Sequence, residues 1–538
     1  MKIKFALLFL CLGLIAFNFK IFAQKPLRVE IPAKYDADYK VIPIGKEGVL
    51  LFNENDSKQE KGMTKWVFTK YDNEFKEVNE KSIDLIDDNI YKTYEISEDN
   101  IYMLFSDERK GSYNIIKYDI KNESVTKYDF IIDNKNFSRL DFKVNGDIAY
   151  LGGNFALTRS QTCGRTTLCY IGLGIPYLFG IFNYKKIPII YTYNLKTKSI
   201  ENNNITLAGN GILLGLQVDD VTDNTDAFIF NNPVKGVNNV IVNEYKGNNL
   251  ANSFKINPGI DNSIIDGKLL SVDKNEKLII GTYCSTKNKK SKKNNYVSNL
   301  SNGIYISGFK NSNQDYIKFY DFSKFSKFFD YLSERQKAKV LKKAKKAKEK
   351  GNTVTYNYRL LIHDIIKKDD EYIMIAEAYY PQYHTECYTT YTANGGSTTH
   401  CYQVFDGYRY THAFIVGFDK DGELLWDNCF EIEDILTFNL KKRVKVLIDG
   451  NNINLVYSNG GAIHSKTISG KTVIDNKQST KIETNYSNDK VKLNLSSDMD
   501  FWYDNYFIAY GFERIKNKEL KGKDKKRTVF YFNKIIYE

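Results

Sequence analysis

Apolar and polar residues alternate along this chain in short runs, and the runs come in pairs about a tight turn. Residues 113–130 form one such pair, centred on Tyr118-Asp119-Ile120-Lys121-Asn122-Glu123. Residues 189–200 repeat the form around Tyr193-Asn194-Leu195-Lys196-Thr197-Lys198, and residues 414–426 around Phe418-Asp419-Lys420-Asp421-Gly422-Glu423. Residues 70–75, with Asp72 and Asn73, are a looser copy. An aromatic ends the first strand or stands just before the turn. Asp or Asn then opens the turn by bonding its side chain to the backbone ahead. A second form precedes several of these units, at 96–105, 142–151, 270–281, 365–376 and 446–457. There the strand after the turn is the more apolar one, as a strand covered on both faces requires.

Joined, the two forms make units of four short strands near 36–85, 92–133, 137–206, 210–258, 263–322, 357–435, 440–484 and 492–538. With insertions set aside the spacing is about 40 to 50 residues, the period of a propeller blade. A lone four-stranded sheet leaves a face bare, whereas radially stacked sheets cover one another. The pattern predicts an all-β fold with a short helical insertion: a β-propeller over residues 24–538, of seven or eight four-stranded blades. The count depends on whether the two terminal units share a sheet. A pair of β-sandwiches or a mixed set of sheets is the alternative, because no strict Trp-Asp or Gly-His signature marks the blades.

The N-terminus places the chain outside the cytoplasm. Lys2 and Lys4 precede an apolar run of about 13 residues, short for a membrane helix. Ile21-Phe22-Ala23 then fits a cleavage site, so residues 1–23 read as a signal peptide. No later stretch is apolar enough to span a bilayer. The charge of +12 falls to +9 once the three leader lysines, Lys2, Lys4 and Lys20, are removed. That excess sits in local clusters, which disfavours nucleic acid and favours an acidic partner or peripheral contact with anionic lipid. Seven cysteines are present, and Cys11 leaves with the leader. In an oxidising compartment Cys163 pairs naturally with Cys169 and Cys387 with Cys401, leaving Cys284 and Cys429 as a long-range pair or two buried thiols.

Four excursions interrupt the repeat, and such insertions are where function is commonly grafted. The first, 158–186, carries Cys163 and Cys169 and then Tyr170, Ile171, Leu173, Ile175, Tyr177, Leu178, Phe179 and Phe182, a Gly- and Pro-studded apolar run. It reads as a plug over the channel, a surface for a protein partner or a dip into lipid. The second, 285–298, is a lysine-rich loop, solvated or facing an acidic partner. The third, 323–351, is helical. Phe325, Phe328, Phe329 and Leu332 share helix spacing, and Ser333 with Gln336 forms a capping box before a second, lysine-rich helix. The expectation is a helical hairpin, with Lys337, Lys342 and Lys345 on a basic face. The fourth, 379–412, is a His-, Cys- and Tyr-rich loop with surface histidines; His384, Cys387, His400 and Cys401 are the one set resembling metal ligands, though a disulfide competes for the sulfurs.

Catalytic signatures are missing: no nucleophile elbow, phosphate loop or zinc-protease helix stands in the chain. Asp219, Asp220, Asp223 and Asp226 read as a solvated acidic turn, with calcium as the other reading. No cofactor site is indicated, and nothing singles out a carboxylate pair for glycoside chemistry. The Asn/Lys/Ile/Tyr-rich usage, the leader ending Phe22-Ala23-Gln24 and the strings Ala413-Phe414-Ile415-Val416-Gly417-Phe418 and Leu424-Leu425-Trp426 resemble exported propeller-like proteins of Bacteroidota. Among these, the size and missing chemistry are similar to the periplasmic plug subunits of the type IX secretion translocon. That resemblance implies a non-enzymatic binding or scaffold subunit, periplasmic and outer-membrane associated, with a protein partner and a role in protein transport. The absence of a type IX C-terminal domain argues for retention rather than secretion. A carbohydrate-active propeller enzyme (hydrolase or lyase) and a metal or small-ligand sensor are the alternatives.

Overall fold

The computed structural model describes residues 27–537, apart from 35–36, 56–61, 87, 134–136, 157–185, 206–209, 233–238, 286–299, 350–353, 355 and 392–393. The described residues form eight antiparallel sheets and one α-helix. Numbered in chain order, sheets 1 to 7 span 40–86, 90–131, 137–204, 210–256, 262–321, 359–437 and 445–481, each with four main strands paired in succession. Sheet 6 adds two short strands, Ile366–Lys368 and Leu436–Thr437. Sheet 8 takes Lys490–Tyr503, Tyr506–Lys516 and Lys526–Ile536 and completes itself with Arg28–Pro32, Val29 facing Phe532 and Ile31 facing Phe530. The two terminal units of the pattern are therefore separate sheets. The strand at 28–32 is too short to show its own periodicity.

The turns form as their residues dictate. The Asp119 carboxylate accepts the Lys121 and Asn122 amides at 3.1 and 2.8 Å. Asn194 Oδ1 accepts those of Lys196 and Thr197, both at 2.9 Å. Asp72 and Asp419 do the same two and four residues ahead. Second strands are buried almost without a break, as in Asn100–Asp107 and Glu276–Ser285. Outer strands such as Glu77–Ile86 and Thr472–Lys481 are mostly exposed. Continuous burial means that both faces are covered, and the core clusters show by what. Ile42 and Phe52 of sheet 1 pack with Ile101 and Phe105 of sheet 2, and each later sheet shares a cluster with the next. An eighth cluster joins sheet 8 to sheet 1, with Trp502, Ile508 and Phe530 against Val41, Val49 and Leu51.

Three expectations change. Among its described residues the insertion after sheet 5 holds one α-helix, not a helical hairpin: α1 is Glu334–Glu349. Phe325, Phe328 and Phe329 are buried between sheets 5 and 6 in turns, because Asp427 of sheet 6 takes the Ser326 and Lys327 amides at 3.0 and 2.5 Å and pins the backbone. Residues 379–412 are not a loop. They extend Glu371–Tyr391 and Ser397–Phe418 into a long hairpin, since Thr and Tyr on both sides favour pairing. The acidic turn is only partly wet, for Asp219 and Asp226 are buried at the contact of sheets 4 and 5. Lys277 pairs there with Asp219 and with Glu244. The predicted apolar run, the Cys163 and Cys169 pair and the lysine-rich loop lie outside the described residues, apart from their flanks.

Asp226 is fully buried and neither carboxylate oxygen has a hydrogen-bond partner. Burial pushes its pKa up to about 8; Lys277 opposes the rise, and Glu244 and Asp219 add to it. The folded state therefore prefers the proton, and the cost of ionising Asp226 grows from the unfolded pKa of about 3.9 up through the folded value. Asp226→Asn is expected to match the wild type in urea unfolding at pH 4 and to exceed it by more than ~1 kcal/mol at pH 8. A difference that does not change with pH contradicts the assignment.

Candidate functional site

The hairpin beyond sheet 6 is an arm of two strands. Cys387 faces Cys401, Tyr388 faces His400 and Thr389 faces Thr399. Directly opposed residues of antiparallel strands bring their Cβ atoms within disulfide reach, and Cys387 and Cys401 are bonded. Their sulfurs are thus not thiolate ligands. His384 is held instead by Asp406 and, at 3.2 Å, by Glu386, and those two contacts raise its pKa. Tyr402 donates to Glu386 at 2.6 Å, and the His400 ring lies 5.3 Å from that of Tyr388. Among the described residues no group of three His, Cys, Asp or Glu side chains is arranged for a metal. Gly407 lets the short strand Leu436–Thr437 brace the arm's root: its φ is 130°, and a Cβ there would lie 2.9 Å from the Thr437 carbonyl oxygen. Beyond the root the aromatics are bare, with Tyr383, Tyr388, Tyr391 and Tyr402 exposed by 53, 54, 80 and 50%.

Helix α1 follows a segment that packs on His412 of sheet 6. Gln336 Oε1 accepts the Ser333 amide at 3.1 Å, the return half of the capping box. Val340 touches the core of sheets 5 and 6, while Lys342 and Lys345 are exposed. Lys337 pairs with Asp330. Lys339, Lys342, Lys343, Lys345 and Lys346 have no acidic partner among the described residues, so their charge faces outward. The segment leading into α1 stacks Tyr331 on His412 at 4.0 Å and bonds the Tyr331 and Tyr358 hydroxyls at 3.0 Å. His412 is therefore not a surface histidine. Burial lowers its pKa to about 3 and keeps it neutral. Cys429 is also buried, its thiol pushed up to about 12, and it does not bond to the buried Cys284. The third and fourth insertions, separated in sequence by residues 352–378, meet on sheet 6.

A second polar constellation escapes the sequence pattern. First strands and neighbouring linkers form a belt of charges that steps from sheet to sheet. Glu95 meets Lys143 at 2.5 Å, and Asp141 accepts the Leu216 amide at 2.9 Å. Gln217 exchanges two hydrogen bonds with the Leu269 backbone. Lys268 and Lys442 share Asp364. Lys441 and Arg443 face Asp498, and Lys445 lies 2.6 Å from Asp500. Burial raises the pKa of Glu95 against the pull of Lys143, and burial with the nearby Arg443 lowers that of Lys441 to about 8. Glu95, Lys143 and Gln217 each stand two residues before the last pair of their first hairpin. That recurring polar position was the available signal. Each charge in the belt has a partner, which makes it a lock between sheets.

No protein-family model matches the chain, and no curated protein matches it in sequence. Solved structures similar in shape include the polysaccharide lyase Uly1, at 10% identity over 95% of this chain and 100% of that one, with a TM-score of 0.40. A post-proline cleaving enzyme from Rickettsia typhi matches at 11% identity over 91% of this chain and 58% of its own, TM-score 0.35. The β-propeller domain of the Trilobed protease from Pyrococcus furiosus matches at 9% over 84% and 96%, TM-score 0.33. At these scores none bears on what this chain does. Among the described residues no helix is long and apolar enough to cross a membrane.

A cross-strand disulfide in an appendage should stabilise the appendage and leave the body alone. The bond closes a 14-residue separation, a loop whose closure is worth about 3 kcal/mol. Cys387→Ser with Cys401→Ser is expected to raise limited proteolysis within 383–405 at least tenfold while the global Tm moves by less than about 2 °C. A fall in Tm without arm cleavage contradicts the placement.

Proposed function

We propose that the eight sheets are the blades of a closed β-propeller, and that the protein works by binding, as a non-enzymatic periplasmic subunit held at the outer membrane by a protein partner. What supports closure is the run of shared cores together with the pairing of Arg28–Pro32 into sheet 8. One observation carries the binding reading: a disulfide-stapled arm with bare tyrosines extends sheet 6, and the segment leading into a helix with five lysines that lack an acidic partner among the described residues packs on His412 of that sheet. Tyrosines give contact area at low entropic cost and are enriched at interfaces. The lysines add attraction to an acidic partner surface. The internally paired belt supports structure rather than catalysis. The resemblance to periplasmic plug subunits of the type IX translocon agrees with this role and carries a link to protein secretion.

The test is mild solubilisation of cell envelopes, cross-linking and purification. Wild type should bring down a stoichiometric outer-membrane protein. Two variants should recover at least tenfold less of it at unchanged Tm: serine at Tyr383, Tyr388, Tyr391 and Tyr402, and glutamine at those five lysines. Recovery of wild type as a free monomer, or turnover of a polysaccharide unaffected by either variant, contradicts the reading.

A further inference from the structure

Where sheets 3 to 6 meet the segment before sheet 7 lies a cavity of about 200 Å³. Pockets for drug-sized molecules run from about 300 to 1,000 Å³, so this one suits something smaller. Leu214, Phe228, Leu361 and Ile362 give it an apolar wall, and Lys268 and Lys442 supply two ammonium groups. Those two share a single carboxylate, Asp364, at 3.0 and 3.8 Å. Asp364 sits between the strands Arg359–Ile362 and Ile366–Lys368 and belongs to neither. Its side chain is 71% exposed, against 24% for Glu95 and 15% for Asp498 in the same belt. Charge rather than packing holds it in place. Partial burial works to raise its pKa, but Lys268 and then Lys442 outweigh this and keep it low.

Two other carboxylates face the cavity. Asp141 is satisfied by backbone amides, from Phe142 and Leu216, both at 2.9 Å. Asp266 accepts the Gly267 amide at 2.8 Å, and burial raises its pKa, which reduces its charge. Burial also lowers the pKa of Lys442, with Asp364 opposing that, and the two lysines are left with one shared carboxylate in ion-pair contact.

We propose that this cavity binds a small carboxylic acid with an apolar body, whose carboxylate replaces that of Asp364 between Lys268 and Lys442. The exchange is carboxylate for carboxylate, with no covalent step. Asp364 swings into water, and the ligand's body covers the apolar wall. Asp364 is then an internal competitor, and it weakens the apparent affinity by the fraction of molecules in which it occupies the pair.

Calorimetric titration of the mature chain at pH 7 tests this, with butyrate as the probe and inorganic phosphate and n-butylamine as comparisons. Butyrate should bind saturably at one site. Asp364→Asn should tighten it at least tenfold, and Lys268→Gln or Lys442→Gln should abolish it. Phosphate, which cannot use the apolar wall, should bind at least tenfold more weakly, and butylamine not at all. Circular dichroism melts check that each variant folds, and the wild-type titration and the lysine variants stand without Asp364→Asn. No saturable butyrate binding in either wild type or Asp364→Asn, binding indifferent to both lysines, or equal binding of butylamine overturns the proposal.

Discussion

A sheet with two apolar faces persists in water only when something covers both of them. In a linear stack of eight such sheets the first and last would each leave one face bare. Sheet 1 would expose Val41, Val49 and Leu51; sheet 8 would expose Trp502, Ile508 and Phe530. These residues bury one another instead, with Phe75 and Phe532 beside them. At about 1.5–3 kcal/mol for each large side chain, that contact represents more than ~10 kcal/mol of gross burial, on the scale of a whole domain's net stability. The termini are fastened at the same place. Buried Arg28 donates to Glu513 at 2.8 Å and to Asn533 at 3.1 Å, and Arg527 reaches across to Glu30 at 2.8 Å. Removing one member of a buried ion pair costs roughly 3–5 kcal/mol, so the strand Arg28–Pro32 is held by charge as well as by its ladder.

Two of the polar arrangements inside stand in contrast. The belt from Glu95 to Asp500 links successive sheets by ion pairs and by side-chain hydrogen bonds to backbone. Asp226 does neither, for it lies sealed beside Lys277 with no partner of its own. At one place in the belt Lys268 and Lys442 share Asp364, and the small cavity opens there.

Much of this architecture is legible in residue patterns because it rests on local chemistry. The Asp119, Asn194 and Asp419 turns, the apolar second strands and the unit boundaries are all encoded within a few residues of where they act. Cys387 and Cys401 are legible as a candidate pair from their spacing together with an exported reading of the leader, and they are bonded. What escapes depends on distant partners. The short strand at 28–32 acquires meaning only from Val529 to Asn533. Phe325, Phe328 and Phe329 carry helical spacing, yet Asp427, about a hundred residues later, decides their backbone. Asp219 and Asp226 look like turn residues until Lys277 and Glu244 are packed against them. The belt is the clearest case, since each of its charges is an ordinary surface residue unless the neighbouring sheet is known.

Native-state hydrogen exchange tests the closed arrangement most directly. If sheet 8 is completed by Arg28–Pro32 and packed on sheet 1, the amides of that strand that bond to Lys526–Ile536 exchange only through global unfolding, with the same free energy as those in Tyr506–Lys516. Exchange within seconds of the ladder-bonded amides among Arg28–Ile31, while Tyr506–Lys516 stays protected, would contradict it.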